Sequence, residues 1–184
     1  MSERLLITHC APTLAGLKTA NLYACPVSDP KAHRKELSEW NHKFAKKGVL
    51  LLPLCYRENR ALVFLYRPDR LRNDLRHPLA RRMLAARKYP VESVNGCVYE
   101  LSRRLAWGDS FPHEIGLFLG YPPEDVEGFI RCNASGEKCC GAWKVYGDED
   151  AAKRAFDQYQ KCTRAYLRAY EKHQSVDRLI VSGS

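Results

Sequence analysis

No stretch of this chain approaches the ~18 consecutive apolar residues that a membrane-crossing helix requires. The first residues, "MSERLLITHC", lack both a long apolar segment and a small-residue cleavage site, and so do not read as a secretory leader. The expectation is a cytoplasmic protein with no membrane partner. Nucleotide fingerprints are missing as well: neither GxGxxG nor GxxxxGK[ST] occurs, and no G-x-S-x-G elbow presents a serine nucleophile. Paired C-x₂₋₄-C knuckles are absent, so a structural zinc site of the common type is excluded. "PHEIG" does not continue to H-E-x-x-H, because position 117 is Leu. No internal repeat or low-complexity segment stands out.

What remains is a chain of 184 residues, 45% hydrophobic and 28% charged, the profile of a globular protein that fits a single domain over residues 1–184. Its net charge is +9. The window from Arg67 to Lys88 holds eight basic residues against Asp69 and Asp74 and so carries +6 of that charge. Such a window can steer an anionic ligand or nucleic acid through residues such as Arg81 and Arg82, or it can be a solvated helix face. Interleaved aromatics for base stacking are lacking there, which disfavours nucleic acid.

Local signals give an α+β fold, a small and mostly antiparallel sheet of about four strands covered by six or seven helices. Residues 30–47 have Pro30 at a helix start behind Ser28 or Asp29, an apolar stripe of Leu37, Trp40, Phe44 and Ala45, and Gly48 as a stop. Val49–Tyr56 and Ala61–Tyr66 flank "RENR" as a β-hairpin, with Pro53 marking an edge or bulge. Residues 20–27 form a further strand, and residues 141–147 a short one between glycines. Residues 70–88 read as two helices broken at Pro78, and residues 91–106 as another. A helical hairpin follows, its first helix running from Ser110 and Pro112 to Gly120 and its second opening at Pro122 and Pro123. A long helix starts near Asp148 with Ala152, Ala155, Phe156, Tyr159, Cys162, Tyr166 and Tyr170 on one stripe.

Eight cysteines in a chain with no export signal are expected to be reduced. Cys97 and Cys162 fall on helical apolar stripes, and Cys25 and Cys55 in strands, where packing accounts for them. Cys10, Cys132, Cys139 and Cys140 fall in or beside predicted loops and are the available thiols. Cys139 and Cys140 could form a vicinal disulfide, hold a thiophilic metal, or divide into one packed and one exposed thiol. His113 and Glu114 could perform acid–base chemistry or close a helical turn. His33, His42, His77 and His173 lie in polar contexts and are expected on the surface.

Three blocks, "HCAPTLAGLKTANLY", "FPHEIGLFLGYPPEDVEGFI" and "GAWKVYGDEDAAKRAFDQYQKCTRAY", resemble the bacterial family catalogued as domain of unknown function 3793 across nearly the whole chain. The resemblance implies an anaerobic bacterial setting and a redox partner such as flavodoxin, and it supplies no established activity. It draws attention to His9, Cys10, Pro12, Thr13, Gly16 and Lys18, to His113, Glu114 and Gly116, and to Trp143, Lys144 and Tyr146. The expectation is a loop site binding a metal, a metal-containing cofactor or a redox partner. Cys10, His9, His113 and Glu114 would be its reactive groups, and His9, Cys10, His113, Cys139 and Cys140 its metal ligands. Thr13, Lys18, Lys144 and Tyr146 would contact the ligand. The alternative is a non-enzymatic module that binds an anionic ligand, nucleic acid or protein through the basic face.

Overall fold

The computed structural model describes residues 2–108 and 110–183. The chain forms two compact units, Met1–Asp69 with Tyr159–Ser184, and Arg70–Gln158.

The first unit is built on a three-stranded antiparallel sheet. Its elements are α1 (Glu3–Leu14), β1 (Ala20–Pro26), α2 (Pro30–Phe44) with a 3-10 turn over Ala45–Lys47, β2 (Leu50–Arg57) and β3 (Arg60–Tyr66). The strand order is β1-β3-β2. The β2–β3 hairpin turns on Glu58 and Asn59, both with positive φ (46° and 59°), the conformation whose twist matches paired strands. Pro53 has no N–H to give, and the register slips one residue between Pro53 and Cys55, a bulge in an edge strand. Asp29 caps α2 by accepting from the Lys31 and Ala32 N–H groups, and Pro30 fills the first turn. Asn41 on α2 then completes β2's backbone pairing: its amide donates to the Leu51 carbonyl and accepts from the Leu51 N–H, each at 2.8 Å.

One face of the sheet carries the core. Leu6, Ile7, Cys10 and Leu14 of α1 meet Leu37 and Phe44 of α2, Tyr23 and Cys25 of β1, and Val63 and Leu65 of β3. Cys162, Tyr166, Leu167 and Tyr170, from the later part of α8 (Glu149–His173), pack against the same cluster, as the stripe of that helix requires. Phe64, on the opposite face of β3, is also fully buried.

One expectation is overturned here. The segment around His9 and Cys10 is helix, not loop: α1 runs to Leu14 with Pro12 inside its last turn. Proline there removes a single helical hydrogen bond, and the chain leaves the helix two residues later. The last carbonyls of α1 also receive a buried cation. Arg67 is 4% exposed. Its Nε donates to the Thr13 carbonyl at 2.7 Å, and its Nη2 to the carbonyls of Leu14 (2.8 Å) and Val181 (2.7 Å). The C-terminal segment is held by the same device and by others. The Val181 N–H donates to Leu14, the Gly183 N–H to Lys47, and the Val176 N–H to the Glu3 carboxylate.

The second unit contains α3 (Pro68–Arg76, from Arg70 onward), α4 (Pro78–Ala86), α5 (Val94–Trp107), α6 (Ile115–Phe118) and α7 (Pro123–Arg131). A two-stranded antiparallel ribbon, β4 (Cys139–Cys140) and β5 (Lys144–Val145), follows, and then the first part of α8. The expected helix from Pro112 to Gly120 shrinks to the single turn of α6. Its start is displaced because Pro112 accepts from the Ile115 N–H in a turn rather than opening a continuous helix. Five strands and eight α-helices among the described residues make the fold α+β. No helix among them is long and apolar enough to cross a membrane.

A candidate ligand site walled by aromatic rings

The residues expected to form one reactive loop site divide between the units. His9, Cys10, Thr13 and Lys18 belong to the first, and His113, Glu114, Cys139, Cys140, Lys144 and Tyr146 to the second. No group of three His, Cys, Asp or Glu side chains suited to a metal ion occurs among the described residues.

The first-unit residues serve the core. On a helix, neighbours point about 100° apart. His9 therefore faces outward against the Tyr23 ring, while Cys10 points inward and has no exposure. Cys10 was expected to be an available thiol, and its place inside α1 overturns that. Burial pushes its thiol far above the ordinary range, although Lys18 opposes the shift. Lys18 is 5% exposed and its Nζ donates to the Ala20 carbonyl. Burial brings its ammonium down to about 8. The Thr13 hydroxyl donates to the Asn21 side-chain oxygen at 2.7 Å. None of these groups lines the aromatic cavity described below.

Glu114 is likewise a buried structural node. Its carboxylate accepts from the Tyr89 hydroxyl at 2.8 Å and pairs with Arg104 and Arg87. The basic window is also largely committed. Arg67 lies in the first unit with its guanidinium on carbonyls, Arg81 pairs with Glu92, and Arg82 pairs with Glu127.

His113, Cys140 and Lys144 do come together, around a cavity of about 270 Å³ in the second unit. Its floor is the α6–α7 hairpin. Gly116 permits the close approach: a Cβ there would lie 2.8 Å from Val126 Cγ2. Its wall is the ribbon, pinned by Asp125. This carboxylate is 2% exposed and accepts three hydrogen bonds at 2.7 Å, from the Trp143 indole, the Tyr146 N–H and the Gly147 N–H. Asp125 lies in the first turn of α7, where an acidic residue complements the helix dipole. Its use as an acceptor for a loop some twenty residues away leaves no local signal.

With its nitrogen anchored, Trp143 stacks on Tyr121 (centroids 5.0 Å apart) and meets the edge of Phe156 (4.5 Å). Phe156 fits against the ribbon because position 141 is Gly, whose missing Cβ would fall 2.3 Å from the ring. Across the cavity, the His113 ring lies 5.1 Å from Phe129 and 5.7 Å from Phe111. Phe111, His113 and Cys140 are exposed at the mouth. Lys144 contributes its stem rather than a free charge, because its Nζ is 2.8 Å from Glu137 and donates to the Ala134 carbonyl. The pairing holds the Glu137 carboxyl below its usual range and Lys144 above its own. Tyr146 is not part of this lining.

All eight cysteines are free thiols, with Cys139 half-buried and Cys140 exposed as alternating strand residues should be. His33, expected on the surface, is 8% exposed and sits between Cys25 and Tyr56. Three elements supply this trio, which is why periodicity within any one of them does not reveal it.

A family model described as "Protein of unknown function (DUF3793)" matches residues 6–180. No curated protein and no solved structure matches the chain.

Proposed function

Starting from a chain that belongs to the DUF3793 family of proteins of unknown function, we propose that the second unit is a small-molecule binding module. It takes a flat, largely apolar ligand of one or two rings in the cavity beside Trp143. The observation that carries this reading is the cavity of about 270 Å³ itself, with Phe111, Tyr121, Phe129 and Trp143 presenting ring faces and edges to it. Ligand pockets are characteristically apolar with a few placed polar groups, and aromatic contacts add to the gain from burial. His113 and Cys140 at the mouth are the polar and thiol contacts. A space near 150 Å³ accommodates benzene, so this one accommodates a second ring. A bare metal ion has weaker support, since no group of three donors is assembled among the described residues. An anionic ligand gains little, since the Lys144 charge is already matched by Glu137.

The test is titration with 2-naphthol, followed through the tryptophan indole N–H resonances. The expected result is saturable one-site binding with a Kd on the order of 0.1–1 mM that shifts the Trp143 signal. Cys140→Trp fills the mouth from an exposed position and is expected to weaken binding about tenfold. Naphthalene-2-carboxylate should bind within about threefold of 2-naphthol. Absence of saturation, or binding indifferent to Cys140→Trp, overturns the reading.

A further inference from the structure

A second cavity, about 340 Å³, lies in the first unit and is independent of the aromatic site. Leu5 and Val27 form part of its wall, and Cys25 and His33 reach it from β1 and α2. The Cys25 Sγ is 3.7 Å from His33 Nε2. The other ring nitrogen, Nδ1, is 3.1 Å from the Tyr56 hydroxyl on β2, and the two rings meet edge to face at 88°. Arg34 lies 4.7 Å over the Tyr56 ring and fixes its outer face. A thiol, a base within reach of it, and a third group orienting the base form the constellation that activates a sulfur nucleophile. We propose that Cys25, His33 and Tyr56 form a thiol–disulfide exchange site for small, uncharged disulfides.

Burial holds the Cys25 thiol above its ordinary range, against the influence of Arg60, and keeps His33 below its own despite Glu36. The resting pair at neutral pH is therefore thiol and neutral imidazole. With Nδ1–H donated to the Tyr56 oxygen, Nε2 is the lone-pair nitrogen that faces the thiol.

The class of electrophile follows from the rim of the site. The Lys31 and Ala32 N–H groups that open α2 are held by the Asp29 carboxylate, and the His33 N–H by the Asp29 carbonyl. The donors that would stabilise a tetrahedral oxyanion are thus occupied, which disfavours acyl transfer. Disulfide exchange spreads its charge along sulfurs and does not need such donors.

In the step, Sγ–H gives its proton to Nε2 as the sulfur attacks one sulfur of R–S–S–R. The Cys25 S–S bond forms, the R–S–SR bond breaks, and the departing sulfur takes the proton from His33 and leaves as RSH. Cys25 is oxidised to a mixed disulfide while one RS group is reduced to the thiol. A low-molecular-weight thiol then attacks the mixed disulfide, restores Cys25 and carries off the second RS group as a new disulfide.

The folded full-length chain is exposed to bis(2-hydroxyethyl) disulfide, quenched in acid, and its cysteines are mapped by mass spectrometry over time. Cys25 should react measurably in the folded chain, more slowly than exposed Cys140, while fully buried Cys10 stays unmodified. His33→Gln should slow Cys25 about tenfold and Tyr56→Phe about threefold, with Cys140 unchanged. Thermal melts confirm that each variant is folded. If His33→Gln does not fold, Tyr56→Phe carries the same comparison. The proposal is overturned if Cys25 reacts only after urea exposes all the thiols, or if its rate is indifferent to the folded variant.

Discussion

In the first unit the buried ions are cations, Lys18 and Arg67, and backbone carbonyls receive their donors. In the second they are carboxylates, Glu114 and Asp125, and donors from several elements converge on them. The contrast follows from which groups each architecture gathers around its buried ions. In the first unit the C-terminal end of α1 and Val181 present carbonyls whose remaining acceptor capacity the Arg67 guanidinium gathers. In the second, the ribbon presents the Tyr146 and Gly147 N–H groups to Asp125, while Glu114 gathers side-chain donors from Tyr89, Arg104 and Arg87. A buried ion of the matching sign meets either need with one side chain, at the cost of being indispensable once in place.

The largest expected effect tests the cationic half of that contrast. Arg67→Met removes the buried guanidinium that bonds to the Thr13, Leu14 and Val181 carbonyls, and leaves Thr13 only the Gly16 N–H and Leu14 only the Val181 N–H as donors. The expected loss is on the order of 3–5 kcal/mol, read as a lower melting temperature. Hydrogen exchange should accelerate first at Val181 and Gly183. Arg67→Lys should recover only part, because one ammonium cannot span carbonyls that the planar fork reaches together. Full recovery by lysine would mean that charge, not fork geometry, holds the segment.

Asp125→Asn tests the anionic half with a smaller effect. The amide oxygen can still accept from Tyr146 and Gly147, but the amide nitrogen then faces the Trp143 indole, donor against donor. The expected cost is about 2 kcal/mol, together with an upfield shift of the Trp143 indole N–H and several-fold weaker 2-naphthol binding. An unchanged indole signal would show that stacking on Tyr121 and Phe156, not the carboxylate, positions Trp143.

What the sequence discloses about these two halves is uneven, and the reason is physical. The Asp29–Pro30 helix start, the "RENR" turn, the Pro53 bulge and the α8 stripe are each written within a few neighbouring residues, and each appears in the structure where its local signal lies. The α1 segment is misread because Pro12 and Gly16 are turn-formers, yet a proline in a last helical turn loses only one bond. The aromatic cavity is half legible: His113, Gly116, Cys140, Trp143 and Lys144 all stand out in the sequence, while the acceptor role of Asp125 and the close approach that Gly116 permits do not. The Cys25–His33–Tyr56 trio is set by the packing of α2 beside a sheet of fixed register, and no single element contains it.

Tyr146 gives the finest probe of how fully the second unit meets its polar demands. Its N–H is held by Asp125, but its hydroxyl is buried with no hydrogen-bond partner among the described residues. The ring is fixed by Gly128, where a Cβ would sit 2.5 Å from the Tyr146 Cγ, so the hydroxyl cannot readily swing toward water. Tyr146→Phe keeps the ring and deletes the stranded group, and it should be neutral or stabilising by up to about 1 kcal/mol. Because Tyr146 does not line the aromatic cavity, 2-naphthol affinity should not change. A destabilisation beyond about 1 kcal/mol would instead assign the hydroxyl a partner such as bound water. That outcome would place the unit's excess demand on the acceptor side as well as the donor side, and the division between cation-using and anion-using halves would then hold only for the backbone.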